Sequence, residues 1–220
     1  MTSAGLRELK KRETRKRISD VATDLFIARG FETVTIAEVA AAAQVSEKTV
    51  YNYFATKESL VLDEVDEQLT RLVGATRDRP TGTTPTAAII CALRPEIEFF
   101  STQPPGGTGR ILQFAAMLHA TPALRAAVGE HRHQIVLSLS EVLAKELDVH
   151  PLDPEVRIAA QALTSLVELV YDSVLRHVQD GVFGNQLSAM VTLDVERGAR
   201  LLDTGLRSLP LLAPGQRINA

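Results

Sequence analysis

TIAEVAAAAQVSEKTVYNYF, residues 35–54, holds two short helical patterns back to back. Thr35-Ile36-Ala37-Glu38 reads as a capping box, in which the Thr hydroxyl serves the N3 amide and the Glu carboxylate reaches back to the cap. The apolar pattern that follows runs to about Ala43. Ser46 then caps a second helix of about eight residues. At about 100° per residue, Val50 and Phe54 lie close together and define its buried side. Lys48 and Asn52 point away from that side, Thr49 and Tyr51 flank them, and Tyr53 falls at the boundary. Two short helices joined by a tight turn, the second presenting hydrogen-bonding groups outward, form a helix-turn-helix. The turn carries Gln44-Val45 in place of glycine, with Val45 expected as a plug between the helices.

The outward groups suit the major groove, which admits one α-helix and displays base-edge donors and acceptors. Lys48 can donate to guanine O6/N7. Asn52 can pair with adenine N6/N7 or reach a phosphate. Thr49 offers a methyl to thymine or a hydroxyl to a base. Tyr51 and Tyr53 can donate O–H to phosphates, and Lys57 at the start of the next helix adds a phosphate contact.

Working outward, Ile18, Val21, Ala22, Leu25 and Phe26 fall on one face of a preceding helix, and Gly30 sits where it should stop. Thr56 is expected to cap a fourth helix running from Lys57-Glu58 through Leu60, Val61, Val65, Leu69 and Leu72. RDRPTGTTP (77–85) and STQPPGGTG (101–109) are loops by composition. Between them a helix extends to Phe100, disturbed at Pro95. Further helices are expected at roughly 110–119, 122–147, 154–180 and 187–208, with a tail after Pro210 that frays. No strand alternation or internal repeat occurs, so the fold class is all-α.

The net charge of −3 hides an asymmetry. Residues 1–57 hold ten Lys/Arg against seven Asp/Glu, and residues 58–220 hold fourteen against twenty. Arg7, Lys10, Lys11, Arg12, Arg15, Lys16 and Arg17 concentrate the positive charge. A basic end on an acidic body suits a polyanion. The single Cys91 excludes an intramolecular disulfide and fits a reducing compartment. No run approaches the ~18 apolar residues of a membrane span, and no apolar stretch follows the basic N-terminus as in a signal peptide. The expected location is the cytoplasm, on the nucleoid.

These motifs resemble the TetR family of bacterial transcriptional regulators over roughly residues 12–60. The resemblance is carried by A-x-x-L-F-x-x-x-G-F at Ala22–Phe31, T-x-x-x-V-A-x-x-A-x-V-S at Thr35–Ser46, and T-V-Y-x-Y-F-x-x-K-E-x-L at Thr49–Leu60. It implies a three-helix DNA-binding domain (1–57), a helical effector-binding and dimerisation domain (58–210) and a tail (211–220). It also implies a repressor released by a small molecule. By position, Thr35, Ser46, Lys48, Thr49, Tyr51, Tyr53 and Lys57 would be DNA contacts. Asn52 stands where the family commonly has histidine.

One recognition helix offers two or three base-reading side chains, each good bidentate pair contributing about 1–3 kcal/mol. Specific binding exceeds non-specific by about 4–10 kcal/mol, so a two-fold dimer on a palindromic double-stranded operator is expected. In residues 157–178 the apolar positions around Leu163, Leu166, Leu169 and Val170 cover about 200° of the helix, wider than the roughly 100° stripe of a one-sided helix. That width suggests a dimer surface on 154–180, completed by the 187–208 stripe of Val191, Val195, Ala199, Leu202, Leu206 and Leu209. Gly198 and Gly205 are candidates for close helix approach.

For the effector, Phe99, Phe100, Phe114, Met117 and Tyr171 supply apolar and aromatic surface, and Gln113, His119 and Glu168 supply orienting polar groups. The expected ligand is a largely apolar organic molecule. No cofactor or metal is expected: GGTG (106–109) lacks the Lys-Ser/Thr of a phosphate loop, and His131 and His133 lie on different helix faces. Two rivals differ in class. An architectural or regulatory DNA-binding protein would need no effector. An enzyme with an accessory DNA-binding domain would need a catalytic cluster within 80–210, where no such pattern occurs.

Overall fold

The computed structural model describes residues 3–63, 65–102 and 107–205. Among the described residues ten α-helices follow one another: α1 (Ser3–Arg29), α2 (Ile36–Ala42), α3 (Glu47–Tyr53), α4 (Val65–Arg77), α5 (Pro85–Ala92), α6 (Arg94–Ser101), α7 (Thr108–Ala120), α8 (Pro122–Leu147), α9 (Pro154–Gln179) and α10 (Gly184–Gly205). A 3-10 turn, Glu58–Leu60, separates α3 from α4. No strand occurs among the described residues. The tail after Pro210, with Leu206 and Leu209, lies outside them.

The chain forms two units, residues 1–65 with 110–129, and residues 66–109 with 130–220. In the first, Ile18, Ala22 and Phe26 of α1 are fully buried and meet Val39 and Ala40 of α2, Val50 and Phe54 at α3, and Leu60. Met117 of α7 and Leu124 of α8 belong to the same core, with Phe114 packed against it. α1 ends at Gly30, whose φ of +92° lies in the left-handed region that a side chain disfavours.

The expected fourth helix is interrupted. Thr56 and Ser59 do cap each other, each hydroxyl accepting from the other's amide at 3.2 and 3.3 Å. Only one 3-10 turn follows, and α4 starts at Val65. Distant groups hold the intervening backbone: the Ser19 hydroxyl donates to the Leu60 carbonyl at 2.8 Å, and Arg15 holds Asp63. A helix needs its carbonyls for its own amides, and here α1 claims one of them.

In the second unit α9 packs against α10, α5 and α6. Pro95 marks a break as expected: Leu93 closes α5 and opens α6, with Pro95 in α6's first turn, where its missing N–H costs nothing. Gly198 allows close approach, since a Cβ there would meet Leu169 Cδ2 at 2.7 Å. Gly205 plays no such part, having nothing within 4 Å of that position. α9 has the length and hydropathy of a membrane span, yet half of that apolar window is buried within the protein, as in the core helix of a bundle.

The broad apolar arc of α9 is mostly used internally. Leu163, Leu166, Val167, Val170 and Val174 are all buried in the single chain, Leu166 at 1% exposure. What remains outward is a narrow shoulder: Ile158 at 63% exposure, with Ala162 and Leu169 half-buried. On α10 the counterpart is Leu201, 74% exposed.

Candidate nucleic-acid interface

Both helices of the 35–54 stretch are capped by their own side chains. Thr35 Oγ1 accepts from the Glu38 amide at 3.2 Å, and the Glu38 carboxylate accepts from the Thr35 amide at 2.8 Å. Arg29 donates to the same carboxylate at 2.6 Å. The Thr35 amide, the Arg29 guanidinium and the Thr35 hydroxyl together hold the Glu38 carboxyl at a pKa of about 2, against an ordinary 4.5. Ser46 Oγ accepts from the Thr49 amide at 3.1 Å and lies 2.8 Å from the Thr49 hydroxyl.

The turn between them is a Schellman closure. The Val45 amide donates to Ala40 O at 2.9 Å, and the Gln44 amide to Ala41 O at 3.1 Å. Gln44 takes the left-handed position at φ +56°, usually filled by glycine. Val45 packs on the core as expected of a plug.

α3 divides as its sequence implies. Val50 and Phe54 are buried at 1% and 2% exposure, while Lys48, Tyr51 and Asn52 face solvent. Thr49 and Tyr53 are half-buried, and Tyr53 packs its ring 6.5 Å from Phe54. Thr35 and Ser46 are exposed, but their hydroxyls already serve the caps.

Two cations of the candidate interface, Arg15 and Lys57, also have structural partners, which sequence reasoning did not show. Arg15 pairs with Asp63, donates to the Tyr53 carbonyl at 2.9 Å and lies 4.7 Å from the Phe54 ring centre, tying α1 to the end of α3. Lys57 donates to the Phe31 carbonyl and sits 4.6 Å over the Phe31 ring. Its ammonium has two further N–H groups for a phosphate. Lys16 pairs with Asp20 at 3.2 Å. Arg7, Lys10, Lys11, Arg12 and Arg17 remain exposed along α1, with no ion pair recorded for them among the described residues.

The effector residues expected from sequence fall in different units. Gln113, Phe114, Met117 and His119 lie on α7 in the first, with Gln113 and His119 exposed. Phe99, Phe100, Glu168 and Tyr171 lie in the second. There Phe100 lies 5.4 Å from Phe99 and 5.8 Å from Tyr171, both edge-to-face. Glu168 pairs with Arg132 at 2.6 Å.

A polar group beside these rings was missed. Gln68 of α4 donates to the Tyr171 hydroxyl at 3.0 Å and to Glu96 Oε1 at 3.2 Å, and Arg71 donates to the same oxygen. A signal existed: Gln68 interrupts the apolar stripe between Val65 and Leu72, where a buried amide needs partners.

Among the described residues of this unit, one grouping that resembles a catalytic set is a clamp. Ser173, Arg176 and His177 of α9 all address Asp194 Oδ2 on α10, Ser173 at 2.5 Å and His177 at 2.8 Å. Burial opposes ionisation of Asp194, but the Ser173 and His177 hydrogen bonds and the Arg176 charge outweigh it and hold its pKa low. The serine hydroxyl donates to the carboxylate and not to the imidazole, so the serine–histidine pairing of an activated nucleophile is not formed.

Two capped short helices around a tight turn, with Lys48, Tyr51 and Asn52 presented outward, define a helix-turn-helix DNA-binding protein. Residues 18–63 match the family described as "Bacterial regulatory proteins, tetR family". The chain is 29% identical to the HTH-type transcriptional regulator TcmR of Streptomyces glaucescens over 142 residues. That alignment takes in 64% of this chain and 63% of TcmR, less than two thirds of that relative's length. The chain is also 30% identical to nucleoid occlusion factor SlmA of Pasteurella multocida over 164 residues, 71% of this chain and 80% of SlmA. Among solved structures, the SmeT–triclosan complex has a TM-score of 0.58 at 16% identity, covering 88% of this chain and 91% of that one, a likeness of fold. The chain belongs to the TetR family of bacterial transcriptional regulators.

Proposed function

We propose that this regulator is a repressor that binds a palindromic operator as a homodimer and is released by a small, largely apolar organic ligand. The observation that carries the reading is the exposed Lys48–Tyr51–Asn52 face, held by the Ser46 cap at its start and by the Arg15 bond to the Tyr53 carbonyl at its end. Lys48 and Asn52 read base edges, Thr49 and Tyr51 flank them, and Tyr53 and Lys57 address phosphates. Thr35 and Ser46 act mainly through the backbone geometry that their caps impose. The exposed arginines and lysines of α1 add phosphate contacts that carry no sequence information. The partner places the protein in the cytoplasm, on the nucleoid.

Dimerisation is supported by Ile158 of α9 and Leu201 of α10, large apolar side chains that one chain leaves exposed. Release follows if the ligand prefers a dimer whose recognition helices no longer match one helical turn, ~34–36 Å. Linkage then requires operator to lower ligand affinity by the factor by which ligand lowers operator affinity. Titrating a candidate ligand with and without operator measures both factors. Identical affinities in the two titrations would sink the release mechanism.

A second reading, a nucleoid DNA-binding protein without an effector, is favoured by the likeness to SlmA. It predicts operator binding that no small molecule alters.

A further inference from the structure

We propose that Glu96 is the polar anchor of the effector site, and that the effector brings to it a neutral N–H or O–H donor on a flat apolar frame. This rests on the ligand-released reading above and names the ligand chemistry. Glu96 lies on α6 one turn before Phe100. Its Oε1 is saturated by Gln68 and Arg71. Its Oε2 is buried and receives no donor from the protein. The side chain is 12% exposed, so solvent reaches little of it. A buried carboxylate oxygen without a donor loses hydration and gains nothing in return. The site therefore has one built-in demand, a hydrogen-bond donor.

The surroundings restrict which donor. Arg71 already balances the Glu96 charge and is itself fixed by a second bond to the Ala92 carbonyl at 3.1 Å. A cationic ligand is not required, and an anionic one would meet the carboxylate unfavourably. The chain of edge-to-face rings Phe99–Phe100–Tyr171 starts one turn along α6 from Glu96 and returns to it through Tyr171 and Gln68. Phe99 is more than half exposed and Tyr171 is also exposed, so the rings reach the surface. A flat apolar body against these rings, with its donor on Oε2, uses every feature of the group.

The test uses the full chain and three probes of one shape: 2-naphthol, 2-methoxynaphthalene and 2-naphthoate. Calorimetric titration should show 2-naphthol binding about tenfold more tightly than its ether, the scale of one hydrogen bond to a charged acceptor. The carboxylate should bind weakest. In Glu96→Gln the preference for the naphthol should collapse, because the amide puts a donor where the carboxylate accepted. Glu98→Gln removes an exposed carboxylate of the same helix that lies outside the proposed group, and should keep the preference. Equal affinity of naphthol and ether in the unaltered protein, or binding of neither, overturns the proposal and leaves water as the partner of Oε2. So does a preference unchanged in Glu96→Gln. Operator release is read separately. Donor-dependent binding without release keeps this site and removes the inducer reading. Release by these probes without donor preference does the opposite.

Discussion

Lys48 and Asn52 are exposed on the outward face of α3, whereas Lys57 also holds the Phe31 carbonyl and lies over its ring. The three residues should therefore fail differently. Lys48→Ala and Asn52→Ala should each weaken operator binding by about 1–3 kcal/mol and random-duplex binding by less. Lys57→Ala should weaken both duplexes alike and also lower stability by about 1–2 kcal/mol, from the lost hydrogen bond and cation–π contact. Competition anisotropy and urea unfolding separate the cases. Equal losses on both duplexes for Lys48→Ala would remove it from base readout. The outward direction of Lys48 was legible because it follows from 100° steps past Val50 and Phe54. The commitment of Lys57 was not, because its partner is 26 residues away.

At the scale of elements, the caps of α2 and α3 are local and were readable from four-residue patterns. The capping carboxylate gives a pH test. Glu38 titrates near 4.5 when unfolded and at about 2 when folded. Its contribution is fully present above the unfolded value and is lost as pH falls toward the folded one. Glu38→Gln retains a capping amide but cannot gain this charge-dependent part. Thermal melts of the two proteins should differ most at pH 5 and converge by pH 2. A gap constant across that range would remove Glu38 ionisation from the stability of α2. The interruption after Leu60 was not readable. Its sequence is helix-compatible, and it is Ser19 and Arg15, more than forty residues upstream, that divert the backbone.

For the whole molecule, the assembly test must spare the core. Leu166→Asp would bury a charge at a position the single chain already fills, at a cost of several kcal/mol. Ile158→Asp with Leu201→Asp alters only exposed positions, so each chain should keep its fold while the solution mass halves and operator binding falls. A dimer of unchanged mass in the double variant would refute this surface. Intact protein should also lose affinity steeply with salt, each neutralised phosphate contributing about −0.9 to the log–log slope. Deleting residues 1–11 should flatten that slope and leave the mass unchanged.

Everything written within a turn or two of helix is legible in the chain alone: the stripe of Ile18, Ala22 and Phe26, the stop at Gly30, the two caps, the outward face of α3, and through its motifs the family. Packing alone settles how residues far apart divide their bonding capacity. Arg15 became a clamp, the broad arc of α9 was mostly used up inside one chain, and Gln68 met Tyr171 across 103 residues beside a carboxylate oxygen left without a donor. The physical reason is range. Caps and amphipathic stripes are satisfied by neighbours a few positions away, whereas buried polar groups and core faces are satisfied by whatever the packing of distant helices brings within 3 to 4 Å.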